Sequence, residues 1–549
     1  MQFGPQIIAN AKVLVADDSP LILTDMKRLL RDMGFSSVRV FTAKDSKSLF
    51  KKLNEEQMDV IICDYNFGDD LNGKQIYEEI CHLGLIPPWC AFIMLTGEKQ
   101  LETVKAIVEL EPDEYIIKPY TATVVKNRIL RAVARKHALK ELYELPKDSD
   151  IEKIESTFVD AEKTHSKYTP YVKRLYAETL IQCGYFYQGK LVYADLYTHS
   201  KSSWVMAGLL NACILNKDYD EANRLYNEWD KANIDRSALV HELKSKLCLI
   251  KGEVGKALLE IDRSLIKSTS MDRLYCYANL SEIHLQYKKS FQQFSSYRLS
   301  AYRTHRETND IHVNVIRNLL LSTQPKQDDV LRVISATKQE MKKIKCAETD
   351  DEYHVLNELF HAHLEYIAGN NKRFLARLSH SIYKLEQRSK ATALYCAKLA
   401  LLAQQPELCQ WVISRLPKWD ENQTDWNHLF LLAQRRVLEH ECMLATQEIE
   451  NMLSTINQTI RDNSVDGANV AFQYFQQRDG CHHAALSMLS AMEKAFPKGL
   501  ASNQVRELIF ECEKILMDSP ILNKSDRLVA KKKSDAAKQA FNRRFANVC

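Results

Sequence analysis

Two periodicities divide the chain. In the first 120 residues, apolar β-type runs at Lys12–Ala16, Val60–Cys63, Ala91–Leu95 and Tyr115–Ile117 alternate with segments whose apolar residues fall at helical spacing: Leu21 to Met33, Leu49 to Leu53 and Thr103 to Leu110. Strands alternating with helices predict a doubly wound α/β domain, a parallel sheet wrapped on both faces. Such sheets hold their ligands at the carboxyl ends of the strands, beside the reversal of strand order. Beyond residue 140 the strand signal stops and helical spacing runs to the end. The break falls at Leu145-Pro-Lys-Asp-Ser-Asp150, a short polar stretch with a proline.

Composition sharpens the second region. Glycine and proline number 15 and 13 in 549 residues, and six of the glycines lie before residue 140. The rest is poor in turn formers and rich in Leu, Ala, Lys, Glu and Gln, which favours helix. A long all-helical chain rarely makes one globule, so repeats are expected. An apolar helix, a polar turn and a new helix at Asp220-Glu-Ala222 recur 35 positions later at Lys246–Ala257, and Gly189 precedes Ala222 by 33. Ala376, Cys409 and Ala445 form a second run. Small residues at these points let paired helices approach closely, with Tyr226 and Trp229 filling the next groove. The spacing resembles tetratricopeptide (TPR) repeats, which stack helix pairs into a superhelix. The tryptophan, leucine-glycine and proline positions of that family are mostly missing, and residues 290–365 fall out of phase. An irregular helical bundle is the alternative. The resulting division is 1–140, a linker at 141–150, helical repeats at 151–523 and a basic tail at 524–549.

Candidate chemistry gathers where the strands end. Asp17, Asp18, Asp64, Thr96 and Lys118 each stand at or just beyond an apolar run, so all five converge on one rim. Three carboxylates brought together repel one another and stay ionised only with a cation among them. Oxygen ligands in small number suit Mg²⁺. The motifs Val13-Leu-Val-Ala-Asp-Asp-Ser-Pro20, Ile61-Ile-Cys-Asp-Tyr-Asn66, Leu95-Thr-Gly-Glu98 and Tyr115-Ile-Ile-Lys-Pro119 together resemble the receiver domain of bacterial response regulators, the CheY-like family. The resemblance covers roughly residues 10 to 140 and implies a flavodoxin-like, five-stranded parallel sheet. It makes Asp64 the phosphoacceptor. Asp17, Asp18, Asp64 and the main-chain carbonyl of Asn66 would hold Mg²⁺. Lys118 would pair with the phosphoryl oxygens, Thr96 would bond to the phosphate and draw its loop inward, and Tyr115 would swing inward behind it. Asn66 and Glu98 stand where the family tunes hydrolysis, and a small polar pair there implies a short-lived phosphate.

The loop after Asp64 departs from the family. Gly68 takes the place of a proline, and Asn72-Gly73 stands one residue later than the usual Asp-Gly pair. The phosphoryl source implied is a cognate sensor histidine kinase or a phosphotransfer protein.

Outside the rim, chemistry is sparse. No Gly-rich phosphate loop, nucleophile elbow or His-Glu-x-x-His stands after residue 140. Nor is there a cyclic-dinucleotide synthase signature or an evident helix-turn-helix, so the helical region does not read as an enzyme. His361 and His363, and Cys481-His482-His483, are two apart or adjacent, so their side chains point to different helix faces and predict no preformed metal site. The fourteen cysteines are scattered without a Cys-x-x-Cys pair, which fits buried thiols of a reduced cytosol. No signal peptide and no membrane span is evident, so a cytoplasmic protein is expected. A net charge of +4 selects no partner. From Lys524 onward eight Lys and Arg face two Asp. That tail reads first as a solvated or frayed helix and second as a site for an acidic partner or nucleic acid. The order of domains resembles response regulators of the VieB type, a phosphorylated receiver controlling a helical module that binds a protein target. Nucleic-acid binding by the tail and a concealed catalytic output are the competing readings.

Overall fold

The structure, a computed structural model, describes residues 5–67, 71–97, 112–231, 237–325, 329–345, 350–382, 384–385, 388–420, 422–478, 480–519 and 522–545. The N-terminal domain begins with a short helix α1 (Pro5–Asn10), followed by β1 (Val13–Ala16), α2 (Pro20–Asp32), β2 (Val40–Ala43), α3 (Ser46–Glu55), β3 (Val60–Asp64), α4 (Gly73–His82), β4 (Ala91–Thr96), β5 (Glu114–Ile117) and α5 (Ala122–Ala138). The five strands are parallel in the order β2-β1-β3-β4-β5. The doubly wound α/β fold predicted from the apolar runs is therefore observed. The helix expected at Thr103 to Leu110 lies outside the described residues.

Every residue of β1, β3 and β4 is buried, as expected for central strands of a sheet covered on both sides. Alternate residues feed two cores. Val13, Val15, Ile62 and Ile93 pack against Met26 and Leu30 of α2 and Val125 and Ile129 of α5. Leu14, Ile61, Phe92 and Met94 pack against Leu49 and Leu53 of α3 and Ile76 and Ile80 of α4. The helices start on local signals. Asp45 and Asn72 form capping boxes with Ser48 and Gln75, and Thr121 caps α5.

The rest of the described chain is helical, and the protein divides into two compact units, 1–280 with 293–308, and 281–292 with 309–549. Paired helices begin at Thr169 and Phe186, Ser203 and Tyr219, Ala238 and Val254, and Met271 and Tyr287. Corresponding starts lie 33 to 35 residues apart, the spacing read from the sequence. Gly189, Ala222 and Ala257 are buried at matching points, and Ser290 extends the series. A Cβ on Gly189 would come within 2.7 Å of Ile181 Cδ1. Tyr226 and Trp229 are buried as expected. The second small-residue run behaves differently. Cys409 is buried, but Ala376 is exposed and Ala445 sits half-buried on the 37-residue helix Trp426–Asp462, so these three do not mark one repeated contact.

The turns explain why the repeat is faint in the sequence. Gly184, Lys217, Gly252 and Leu285 occupy the same left-handed position after successive first helices, with φ of 85°, 65°, 79° and 62°. At each, backbone N–H groups of this residue and the next reach back to the closing turn, as in Gly184 N to Ile181 O and Tyr185 N to Leu180 O. Lys and Leu hold a conformation that glycine adopts without steric cost. The turn is thus conserved in geometry along the chain while its glycine is present only half the time.

The segment around the expected linker is packed. Leu139 and Leu142 join Ile154, Phe158, Val172 and Leu180 in a small core, and Asp150 caps the helix Ile151–Thr164. At the other end, the basic tail forms the helix Lys524–Phe545, whose Ala530, Ala537 and Phe541 pack into the core of the last helices. Burial works against ionisation of Glu513, but hydrogen bonds from Lys531, Lys538 and Ser534 bring it down to about 2. Lys533 lies 3.5 Å from Glu493. Three of the tail's eight basic residues are thus paired with the preceding acids Glu493 and Glu513.

Candidate functional site

The carboxyl edge of β1, β3, β4 and β5 brings Asp17, Asp18, Asp64, Thr96 and Lys118 to one rim, at the reversal between β1 and β3. Asp17 and Thr96 are fully buried, Asp64 is 6% exposed, and Asp18 faces solvent. One carboxylate oxygen from each of Asp17, Asp18 and Asp64 lies within 4.8 Å of the others. Lys118 Nζ spans two of them, 2.8 Å from Asp64 Oδ1 and 3.0 Å from Asp17 Oδ2. Asp17 is further held by the Ser19 N–H at 2.9 Å.

This arrangement is under-neutralised, with three carboxylates sharing one ammonium. Burial raises the Asp64 pKa above the ordinary carboxylate value, with the Lys118 hydrogen bond and charge acting in the opposite sense. A divalent cation fits that donor set, because it supplies the charge that Lys118 lacks and accepts hard oxygen ligands.

Local backbone contacts hold Asp64. Tyr65 N donates to Leu95 O at 2.8 Å and Lys118 N to Thr96 O at 2.6 Å, tying the ends of β3, β4 and β5 together. Gly73, the first residue of α4, packs against the Asp64 carbonyl, where a Cβ would come within 2.5 Å of Asp64 O. The Asn72-Gly73 pair therefore starts α4 directly on the Asp64 backbone. Tyr115 pairs with Met94 in the sheet and is half-buried, with the Arg128 guanidinium 5.7 Å from its ring centroid. Asn66 is exposed; Gly68 and Glu98 lie outside the described residues.

A family model for the response regulator receiver domain matches residues 13–130. The chain is 28% identical over 125 residues to chemotaxis protein CheY-3 of Vibrio cholerae, spanning 22% of this chain and 89% of that protein. It is 26% identical to chemotaxis protein CheY of Pseudomonas aeruginosa, over 23% of this chain and 97% of that one. A response regulator receiver domain protein from Clostridium thermocellum, of known structure, is 33% identical over 24% of this chain and 98% of its own, with a TM-score of 0.21. Residues 13–130 are a response regulator receiver domain. A receiver implies a histidine kinase or phosphotransfer protein as its partner.

Sequence reasoning missed where the receiver touches the helical repeats. Glu79 of α4, 7% exposed, accepts a hydrogen bond from His305 N at 2.8 Å. The rings of His82 and His305 stack with centroids 3.8 Å apart. Gln75 Nε2 donates to Ser300 O at 3.1 Å, and Arg306 Nε lies 3.7 Å from Glu78. Arg306 also binds Asp272 of the repeats. The residues responsible are ordinary polar positions of helix surfaces and, for His305 and Arg306, of the turn between two helices, so no local signal marks them.

The histidine pairs divide. His361 and His363 do not meet; His363 is buried against Tyr395 Oη at 2.9 Å, and burial brings its pKa down to about 3. His482 and His483 depart from the expected divergence. Their ring centroids are 4.0 Å apart, and a ring nitrogen of each lies within 4.8 Å of the Glu407 carboxylate. Among the described residues no helix is long and apolar enough to cross a membrane.

Proposed function

We propose that this protein is a response regulator in which phosphorylation of Asp64 controls protein–protein contacts of the helical repeats, with α4 as the mechanical link. The observation that carries this reading is the placement of α4. Its first residue rests on the acceptor's backbone, and its surface is hydrogen-bonded to residues 300–306 of the repeats.

In the proposed reaction an Asp64 carboxylate oxygen attacks the phosphorus of a phosphohistidine donor. An O–P bond forms, the P–N bond breaks, and the histidine leaves with its electron pair. Asp17, Asp18, Asp64 and the carbonyl of Asn66 would hold Mg²⁺, which supplies positive charge against the carboxylate and the phosphoryl oxygens. Lys118 already bridges Asp17 and Asp64 and is placed to pair with a phosphoryl oxygen. Thr96, at the end of β4, is placed to donate its hydroxyl. The phosphoryl group adds about 1.5 to 2 negative charges at the buried acceptor. An adjustment of the Asp64–Tyr65 backbone would pass to α4 through Gly73, and so to His305 and Arg306. The described cysteines are all unpaired, which suits a reduced cytoplasm.

The test uses the full chain with Mg²⁺ and beryllofluoride, read by hydrogen exchange and by pull-down. Beryllofluoride is expected to change exchange in residues 73–82 and 296–306 and to change the set of captured proteins. Glu79→Gln with His305→Ala should capture the same set with and without it. If the response survives in that variant, the route lies elsewhere, with Thr96 and Tyr115 the candidates. If wild type does not respond at all, the coupling itself is wrong. The nucleic-acid reading is disfavoured by Glu513 and Glu493, which engage Lys531, Lys538 and Lys533.

A further inference from the structure

Away from the receiver, the helices Pro406–Ser414 and His482–Met492 meet at their amino ends. Glu407 is the second residue of the former, and His482 and His483 open the latter. Residues adjacent in mid-helix diverge by about 100°. Here both rings turn to one carboxylate. His483 Nε2 is hydrogen-bonded to Glu407 Oε1. Glu407 Oε2 is buried and has no hydrogen-bond partner, and neither has Nδ1 of His482, a residue only 4% exposed. Buried polar atoms are normally satisfied, and this one cluster holds two that are not.

We infer that Glu407, His482 and His483 form a binding site for a first-row transition-metal ion of the zinc class. Two imidazoles and a carboxylate make an N₂O set that suits Zn²⁺ and its neighbours, whereas Mg²⁺ prefers oxygen alone. Bonds of about 2.0–2.2 Å in a tetrahedral site place donor atoms roughly 3.3 Å apart. Donors already within 4.8 Å need only small side-chain rotations to reach that spacing. The His483 and Glu407 side chains retain 24% and 31% exposure, leaving an open side for entry and for a bound water. Around the site, Cys442 Sγ lies 3.0 Å from Pro406 O and Cys481 Sγ 3.9 Å from Gln404 O, bracing both helix starts. An ion here would cross-link residues 76 positions apart and stabilise the folded state by linkage.

The experiment uses the full-length protein stripped with chelator and held in excess Mg²⁺, which occupies the all-oxygen rim of the receiver. Zn²⁺ is titrated calorimetrically, and Co²⁺ is followed by its visible ligand-field bands. One Zn²⁺ per chain and a raised melting temperature are expected. Glu407→Gln and His483→Gln, both at part-exposed positions and checked for helicity, should each weaken binding at least tenfold. Asp64→Asn should leave it unchanged. Absence of Zn²⁺ binding by wild type overturns the assignment. So does wild-type affinity in both Glu407→Gln and His483→Gln, which would place the ion on thiols or on the receiver.

Discussion

The receiver and the helical repeats both bury carboxylates, and they treat them in opposite ways. At the receiver rim, three acids share one lysine. In the repeats, Glu260 and Glu282 each have several donors of their own. Glu260 receives His241 Nδ1 at 2.8 Å, Tyr226 Oη at 3.0 Å and Arg263 at 2.7 Å. Glu282 receives Arg317 and Asn318 at 2.7 Å each and Gln434 at 3.1 Å. The difference separates a reaction site from a structural brace. An acid left short of positive charge is poised to take a cation or a phosphoryl group, whereas a satisfied one holds helices in register.

That contrast can be broken experimentally, most sharply at the acceptor. Asp64→Asn is expected to abolish labelling by a phosphodonor, because the proposed nucleophile is gone, yet it should not lower the melting temperature, since it also removes a repelling charge beside Asp17. Labelling of this variant at the wild-type level would remove Asp64 from its role. A drop in melting temperature would mean that the rim is a brace after all.

Glu282→Ala should do the reverse. It removes the carboxylate shared by Arg317, Asn318 and Gln434 and is expected to cost about 3–5 kcal/mol, seen as earlier unfolding of the second unit by denaturant while receiver labelling is retained. Little change in unfolding would show that the repeats tolerate an unmatched charge.

The smallest effect expected is a gain. Lys217 holds a φ of 65° at a turn where Gly184 and Gly252 stand in neighbouring repeats. Lys217→Gly relieves a left-handed strain of about 1–2 kcal/mol, offset in part by the greater entropy of glycine in the unfolded chain. A net stabilisation of about 0.5–1 kcal/mol should appear in denaturant midpoints; destabilisation would mean that the lysine side chain earns its place by contacts of its own.

Much of the receiver could be read from its sequence because its chemistry is tied to local pattern. Strand periodicity locates the strand ends, parallel topology gathers those ends on one edge, and Asp17, Asp18, Asp64, Thr96 and Lys118 follow. The fifth strand, Val40–Ala43, was not among the four runs, being an edge strand only half-buried at Phe41 and Thr42. In the repeats, Gly189, Ala222 and Ala257 were legible as small residues at a fixed interval. Ser290 was not, and the non-glycine turns at Lys217 and Leu285 hid the beat.

What the sequence determined by itself is thus whatever depends on short-range period: the doubly wound sheet, the rim acids, the helical character of the remainder and the spacing of its early pairs. Tertiary structure alone decided which distant side chains meet. Glu79 reaches His305 across 226 residues, and Glu407 reaches His483 across 76. Glu79, Glu407 and His483 are ordinary polar residues of their own helices, and His305 lies in a turn between two. The contacts arise from how helices stack, and hydrophobic period records which face of a helix is buried without recording what that face is buried against.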